Sequence, residues 1–237
     1  MELVDKIIKG ERASIAKAIT LVESSKDADQ QISRQLISEL IKKPGESIRV
    51  GFSGPPGVGK STFIESFGSY LVSQNYKLGI LAIDPSSQIT GGSILGDKTR
   101  MVEISKNPNT FIRSTPSRGT LGGISMGTRE ASIILDAAGY DFIFIETVGV
   151  GQSEIVASNL VDIFTLIVGP GSGDELQGIK KGITEYADIF IVNKNDGELK
   201  MEASKTAADY KSALSYYKKL DALEKQVLLV SAIEQTG

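Results

Sequence analysis

The residues Gly54-Pro55-Pro56-Gly57-Val58-Gly59-Lys60-Ser61 have types and spacing suited to one kind of chemistry. A glycine, four residues, a second glycine, a lysine and a hydroxyl make a loop that wraps phosphate. Its glycines let backbone N–H groups converge on anionic oxygens without a Cβ in the way. Lys60 has the length to reach β- and γ-phosphates, and Ser61 offers a hydroxyl to Mg²⁺, with Thr62 next in the same first helical turn. Ile48–Phe52 before the loop is rich in β-formers, and Phe63, Ile64, Phe67 and Leu71 after it recur at helical spacing. Strand, loop and helix N-terminus together form an anion trap, so the chain is read as nucleotide-binding.

Three carboxylates are candidates for the metal that accompanies nucleotide phosphates. Asp84 and Glu146 stand at the ends of predicted strands, and Asp97 lies in a glycine-rich stretch between them. With Ser61 they form an all-oxygen ligand set for Mg²⁺, which takes one or two carboxylates directly and keeps several waters. Lys60, Asp97 and Glu146 are the candidates for catalysis. Glu146-Thr147-Val148-Gly149 also occupies the place where most GTPases carry Asp-x-x-Gly, whose glycine N–H senses the γ-phosphate, so Gly149 joins the candidates.

Base choice is read from Asn193-Lys194-Asn195-Asp196, which follows another apolar strand and matches Asn-Lys-x-Asp. A carboxylate at Asp196 can accept from guanine N1–H and N2–H₂, donors that adenine does not present together. The Lys194 stem would lie along the base, and Asn193 would tie loops together. Ser231-Ala232-Ile233, after the last strand, fits a loop whose backbone N–H meets the guanine oxygen. The expected ligands are therefore GTP and GDP with Mg²⁺.

The composition narrows the chemistry further. The chain has 237 residues, 41% hydrophobic and 23% charged, within the range of a globular protein. Histidine and cysteine are absent, which removes an imidazole base, a thiolate nucleophile and soft-ligand metal sites. A net charge of −3 gives no basic footprint for nucleic acid. No apolar run is long enough to cross a bilayer, and Met1–Lys6 has no leader pattern, so no membrane association is expected and the cytoplasm is the expected compartment.

These residues need a scaffold. Strands are predicted at Ile48–Phe52, Leu78–Ile83, Phe142–Glu146, Ile163–Val168, Ile189–Val192 and Val227–Val230, several of them continuously apolar as in a sheet buried on both faces. Helical patterns at about 61–73, 128–138, 176–186 and 202–220 alternate with them. This is the rhythm of an α/β, doubly wound, mostly parallel sheet of the P-loop NTPase kind, with ligands at the carboxyl ends of the strands. Residues 1–43 read as two amphipathic helices closed by Pro44-Gly45, giving a helical extension over 1–46 and a nucleotide domain over 47–237. The stretch from Asp84 to Gly127 breaks the rhythm and is read as a mobile segment over the phosphates.

With these motifs in place, the sequence resembles the methylmalonyl-CoA-mutase-associated G proteins, cobalamin-chaperone GTPases formerly labelled arginine/ornithine transport ATPases. The resemblance covers about Ile48 to Gly237. It rests on Gly51–Gly57, Asp84-Pro85-Ser86-Ser87, Gly91–Met101, Arg118–Gly123, Glu146–Glu154 and Gly173–Lys180. It implies a homodimeric, Mg²⁺-dependent GTPase that gates delivery of adenosylcobalamin to methylmalonyl-CoA mutase, or a related cobalamin-dependent mutase, and protects that enzyme. It implies that Lys60, Asp84, Asp97 and Glu146 serve nucleotide and metal, and that Asp174–Lys180 is a switch reporting nucleotide state. The C-terminal extension that supports dimerisation in the family is expected to be missing. Two alternatives stay open: a P-loop kinase or ATPase acting on a small molecule or transport protein, and a module that binds GTP without hydrolysing it. A nickel or zinc metallochaperone is discounted because the chain has no Cys or His to supply soft ligands. Gln152 is a candidate for orienting water, and Arg113 or Arg118 for supplying positive charge.

Overall fold

The computed structural model describes residues 2–84, 101–116, 126–147, 157–172, 181–215 and 225–237. Seven strands form its sheet: β1 (Ile48–Ser53), β2 (Leu78–Asp84), β3 (Thr110–Pro116), β4 (Phe142–Glu146), β5 (Ile163–Val168), β6 (Ile189–Val192) and β7 (Gln226–Leu229). They pair in parallel in the order β3-β2-β4-β1-β5-β6-β7. Ser53, Asp84, Glu146, Val168 and Val192 therefore all end at one edge, with β1 at the centre. The doubly wound parallel sheet anticipated from the sequence is what the chain forms.

Helices cover both faces. On one side α4 (Lys60–Ser73) and the short α5 (Val102–Ser105) enclose Val50, Phe52, Ile80, Phe144 and Ile167. Phe52 meets the Phe144 ring edge-on at 5.0 Å, and each such fully buried side chain contributes about 1.5–3 kcal/mol. The other face carries α6 (Met126–Ala137) and α8 (Lys200–Ser215), and α7 (Lys181–Tyr186) leads into β6. Helix α4 stops because Asn75 turns left-handed (φ 69°) and sends its N–H to Val72, while Tyr76 N–H reaches Leu71.

The N-terminal region holds three helices rather than the two anticipated: α1 (Glu2–Ile8), α2 (Arg12–Val22) and α3 (Asp27–Leu40). One continuous apolar stripe conceals a break at Gly10, whose φ of +75° no helix continues through. Ile7, Ile15, Ile19 and Leu40 join Ala131, Ile134, Ile143 and Ile145 in a single core, so this layer packs on α6 and the sheet face behind it. Asp136 fixes the turn that follows α3. Its carboxylate accepts from Gly45 N–H and Ser47 N–H, both at 3.0 Å, and from Ser47 Oγ at 2.6 Å, with the Arg49 guanidinium at 3.5 Å.

Strand β3 corrects the reading of residues 84–127 as one excursion. It holds the sheet's edge, preceded by α5, and α6 already begins at Met126. The strand is hard to see in the sequence because a glycine-rich stretch follows it and its apolar content is mainly Phe111-Ile112. The N-terminal layer holds its first half. Arg12 Nη1 donates to the Thr110 carbonyl at 2.6 Å while its guanidinium lies 5.5 Å over the Phe111 ring, and Arg113 pairs with Glu23. Residues 85–100 and 117–125, with Asp97 and Arg118, lie outside the described residues.

Candidate nucleotide-binding site

The phosphate loop leaves β1 at Ser53 and enters α4 at Lys60, so its shape is set by a buried strand at one end and a helix at the other. Gly54 has φ +148°, and a side chain there would run into the Ile167 carbonyl of β5. Gly59, at φ +91°, could not carry a Cβ without pressing on the Asn193 amide at 2.6 Å. Val58 anchors the loop by burying itself in the α4-side core. The Lys60 ammonium donates to the carbonyls of Gly54 (2.7 Å) and Pro55 (2.9 Å), so it lies folded across the loop. Ser61 Oγ donates to Glu146 Oε1 at 3.1 Å, which puts a hydroxyl and a carboxylate side by side at the helix start. Oxygen donors so placed fit a hard cation such as Mg²⁺. Among the described residues no cluster of three or more acidic, His or Cys side chains could hold a metal. The backbone of Asp84 ends β2 on the same sheet edge. Its side chain, together with Asp97 and Gly149, is outside what is described.

The base motif is locked to this loop. Asn193 is 2% exposed, and its Nδ2 donates to the carbonyls of Val58 (3.0 Å) and Gly59 (3.5 Å). Its Oδ1 accepts from Ala232 N–H at 3.1 Å, so one amide bridges the phosphate loop and the 231–236 turn. Lys194 takes a left-handed conformation, φ 62°, unusual for a residue with a side chain, and its Nζ reaches the Gly57 carbonyl at 2.7 Å. Asp196 is oriented by Ser231, whose Oγ donates to Oδ2 at 2.5 Å and itself accepts from Glu234 N–H at 3.0 Å. Sequence reasoning gave Ser231 only a place in the turn; its hydroxyl's hold on Asp196 has no signature in spacing. Because Ala232 N–H already serves Asn193, a guanine carbonyl at that point would share the donor. Ile233 is 75% exposed beside this turn.

One expectation changes. Arg113 is engaged by Glu23 and by Thr20 Oγ1 (3.3 Å), and so serves the N-terminal layer. After β5, Ser172 Oγ donates to Gly169 O at 2.6 Å and closes a turn, while Gly171 N–H donates to Thr206 Oγ1 at 3.1 Å and ties that turn to α8. Asp174–Lys180 and Gln152 lie outside the described residues.

Comparison with known proteins decides the family. Residues 15–237 match the family described as methylmalonyl Co-A mutase-associated GTPase MeaB. The chain belongs to this family. Like its relatives, this MeaB-family protein is a P-loop GTP hydrolase. It is 49% identical over 229 residues to the probable GTPase Rv1496 of Mycobacterium tuberculosis, covering 96% of this chain and 68% of that one. The mitochondrial methylmalonic aciduria type A homolog of mouse is 46% identical over 242 residues, with 98% and 58% covered. A solved structure titled LAO/AO transport system kinase superposes on the MeaB-family chain with a TM-score of 0.82 at 37% identity, over 100% of this chain and 70% of that one. Residues 1–14 lie outside the family match.

Proposed function

We propose that the protein is an Mg²⁺-dependent GTPase whose nucleotide state gates adenosylcobalamin loading and protection of methylmalonyl-CoA mutase or a related cobalamin-dependent acyl-CoA mutase. The observation that carries this reading is the Asn193 bridge, which joins a phosphate loop to a guanine-type motif, in a chain whose family is described by its association with that mutase. The family's description favours a mutase over a small-molecule acceptor.

In the proposed reaction water attacks the γ-phosphorus, the bond to the β–γ bridging oxygen breaks, and GDP and inorganic phosphate leave. Lys60 would exchange its two loop carbonyls for β- and γ-phosphate oxygens, and the N–H groups of residues 57–62 would line the phosphates. Ser61, Glu146, Asp84 and Asp97 would hold Mg²⁺, which neutralises phosphate charge when bound. Gly149 N–H would meet the γ-phosphate. Asn193, Lys194, Asp196, Ser231, Ala232 and Ile233 would hold the guanine. With no histidine and no evident general base, hydrolysis rests on positioning and charge, so intrinsic turnover should be slow and a partner can complete the site. Residues 1–46 are proposed as a helical extension of a GTPase domain over 47–237, the assembly as a homodimer, and the cytoplasm as the compartment. Among the described residues no helix is long and apolar enough to cross a membrane.

The test is retention of partner proteins from native extract on the protein loaded with GDP or a non-hydrolysable GTP analogue. GTP turnover is then measured with and without the mutase retained. The reading predicts a nucleotide-dependent capture of a cobalamin-dependent mutase and a mutase-accelerated turnover. It also predicts that Lys180→Ala lowers that acceleration at least about tenfold while intrinsic turnover stays. Capture that ignores the nucleotide, with no acceleration, contradicts it.

A further inference from the structure

Ser53 closes β1 immediately before the phosphate loop. It is 0% exposed, and its Oγ has no hydrogen-bond partner among the described residues. Buried hydroxyls without partners are uncommon, because desolvation costs them more than a rotamer change would. The sequence explains the isolation. A serine opening a turn ordinarily uses the backbone N–H two or three residues on, and here those residues are Pro55 and Pro56, which have none. The neighbouring strand offers no substitute. Thr147, also buried, gives both its N–H (2.9 Å) and its hydroxyl (3.3 Å) to the Phe52 carbonyl. On the other side Ser53 is in register with Leu166 of β5, an apolar neighbour.

The residues just after Ser53 are in the opposite condition. The carbonyls of Gly54 and Pro55 are served by the Lys60 ammonium. Phosphates that draw Lys60 away leave these two acceptors without their donor, one and two residues from an uncommitted hydroxyl. We propose that Ser53 is a positioning residue for nucleotide binding. Its hydroxyl gains a hydrogen bond, directly or through one water, to the Gly54–Pro55 turn once phosphate has taken Lys60, and so favours the loaded loop over the empty one. This rests on the P-loop GTPase reading and adds a residue outside the phosphate, metal and base motifs.

The signature is a pair of opposite signs. Removing a hydroxyl that is unsatisfied in the empty protein relieves it, whereas removing one that is satisfied in the complex weakens binding. The experiment measures melting temperature without nucleotide, Kd for GDP and for a non-hydrolysable GTP analogue with Mg²⁺, and KM and kcat for GTP, in the parent and Ser53→Ala. The expected result is an unchanged or higher melting temperature without nucleotide, Kd and KM raised at least about fivefold, and kcat within about twofold. Affinities within about twofold of the parent, or a lower melting temperature in the empty protein, overturn the proposal; the latter is what a merely structural hydroxyl gives. Ser53→Cys, of similar volume with only a weak donor, should raise Kd and KM by less than the alanine variant does; an equal or larger rise counts against the hydroxyl's hydrogen bond. A parent that shows no nucleotide binding defeats the GTPase reading instead, so the two failures are distinct.

Discussion

Asn193 and Asp136 gather distant backbone groups in the same manner but at opposite edges of the sheet. Asn193 sits at the carboxyl edge and joins Val58 and Gly59 to Ala232; Asp136 sits at the amino edge and collects Gly45, Ser47 and Arg49. Both are nearly buried, 2% and 6% exposed. The difference lies in what is gathered. Asn193 holds the two loops proposed to face the nucleotide, so on that reading its bonds position ligand-binding groups. Asp136 holds the turn between the N-terminal layer and β1, so its bonds serve the fold. A buried polar node becomes functional through the segments it joins rather than through its own chemistry.

The largest effect should come from Asp136→Ala, which strands three donors and the Arg49 charge. Loss of about 3 kcal/mol in urea unfolding is expected, with the GTP-analogue Kd unchanged. A large change in affinity there would erase the distinction between the two nodes. Asn193→Ala should do the reverse. Binding should weaken by about 2 kcal/mol, roughly thirtyfold, in a nucleotide titration, beyond what any fall in stability accounts for. Arg113→Ala comes next, because its pair with Glu23 is partly shielded, with side chains 31% and 9% exposed. About 1 kcal/mol of stability should be lost while GTP turnover holds. Reduced turnover with intact stability would move Arg113 back toward the phosphates.

The smallest effect is a matter of pH. Burial holds the Tyr140 hydroxyl above the usual phenol range, with Arg12 pulling weakly the other way. The unfolded chain therefore ionises first. Stability is untouched below about pH 10 and falls as pH rises beyond it. Tyr140→Phe should remove that alkaline loss, measured by unfolding at pH 8 and about pH 11. An unchanged alkaline slope would show that Tyr140 ionises alike in both states.

Much of this was legible in the sequence. Continuous apolar runs such as Ile163–Val168 announce strands buried on both faces, and fixed spacings mark the phosphate and base loops. The missed features have common physical causes. Gly10 interrupts an apolar stripe without changing its period, so two helices look like one. Strand β3 spans seven residues but has only Phe111-Ile112 as an apolar run, and its place comes from pairing with β2 across a long sequence separation. Ser231 holding Asp196, and Thr206 holding Gly171, are single hydroxyl contacts between remote segments, which no local pattern encodes.

The central claim is that phosphate and base loops form one guanine-reading unit, with Asp196 held in place by Ser231. The most direct test is competitive binding of GTP, ATP and xanthosine triphosphate to the parent and to Asp196→Asn, at fixed Mg²⁺. The account predicts that the parent strongly prefers GTP to ATP. It predicts that Asp196→Asn loses about ten- to a hundredfold in GTP affinity, the worth of a charge-assisted pair, and turns toward the xanthosine nucleotide. Equal affinity of the parent for ATP and GTP, or an Asp196→Asn protein with unaltered preference, would contradict it.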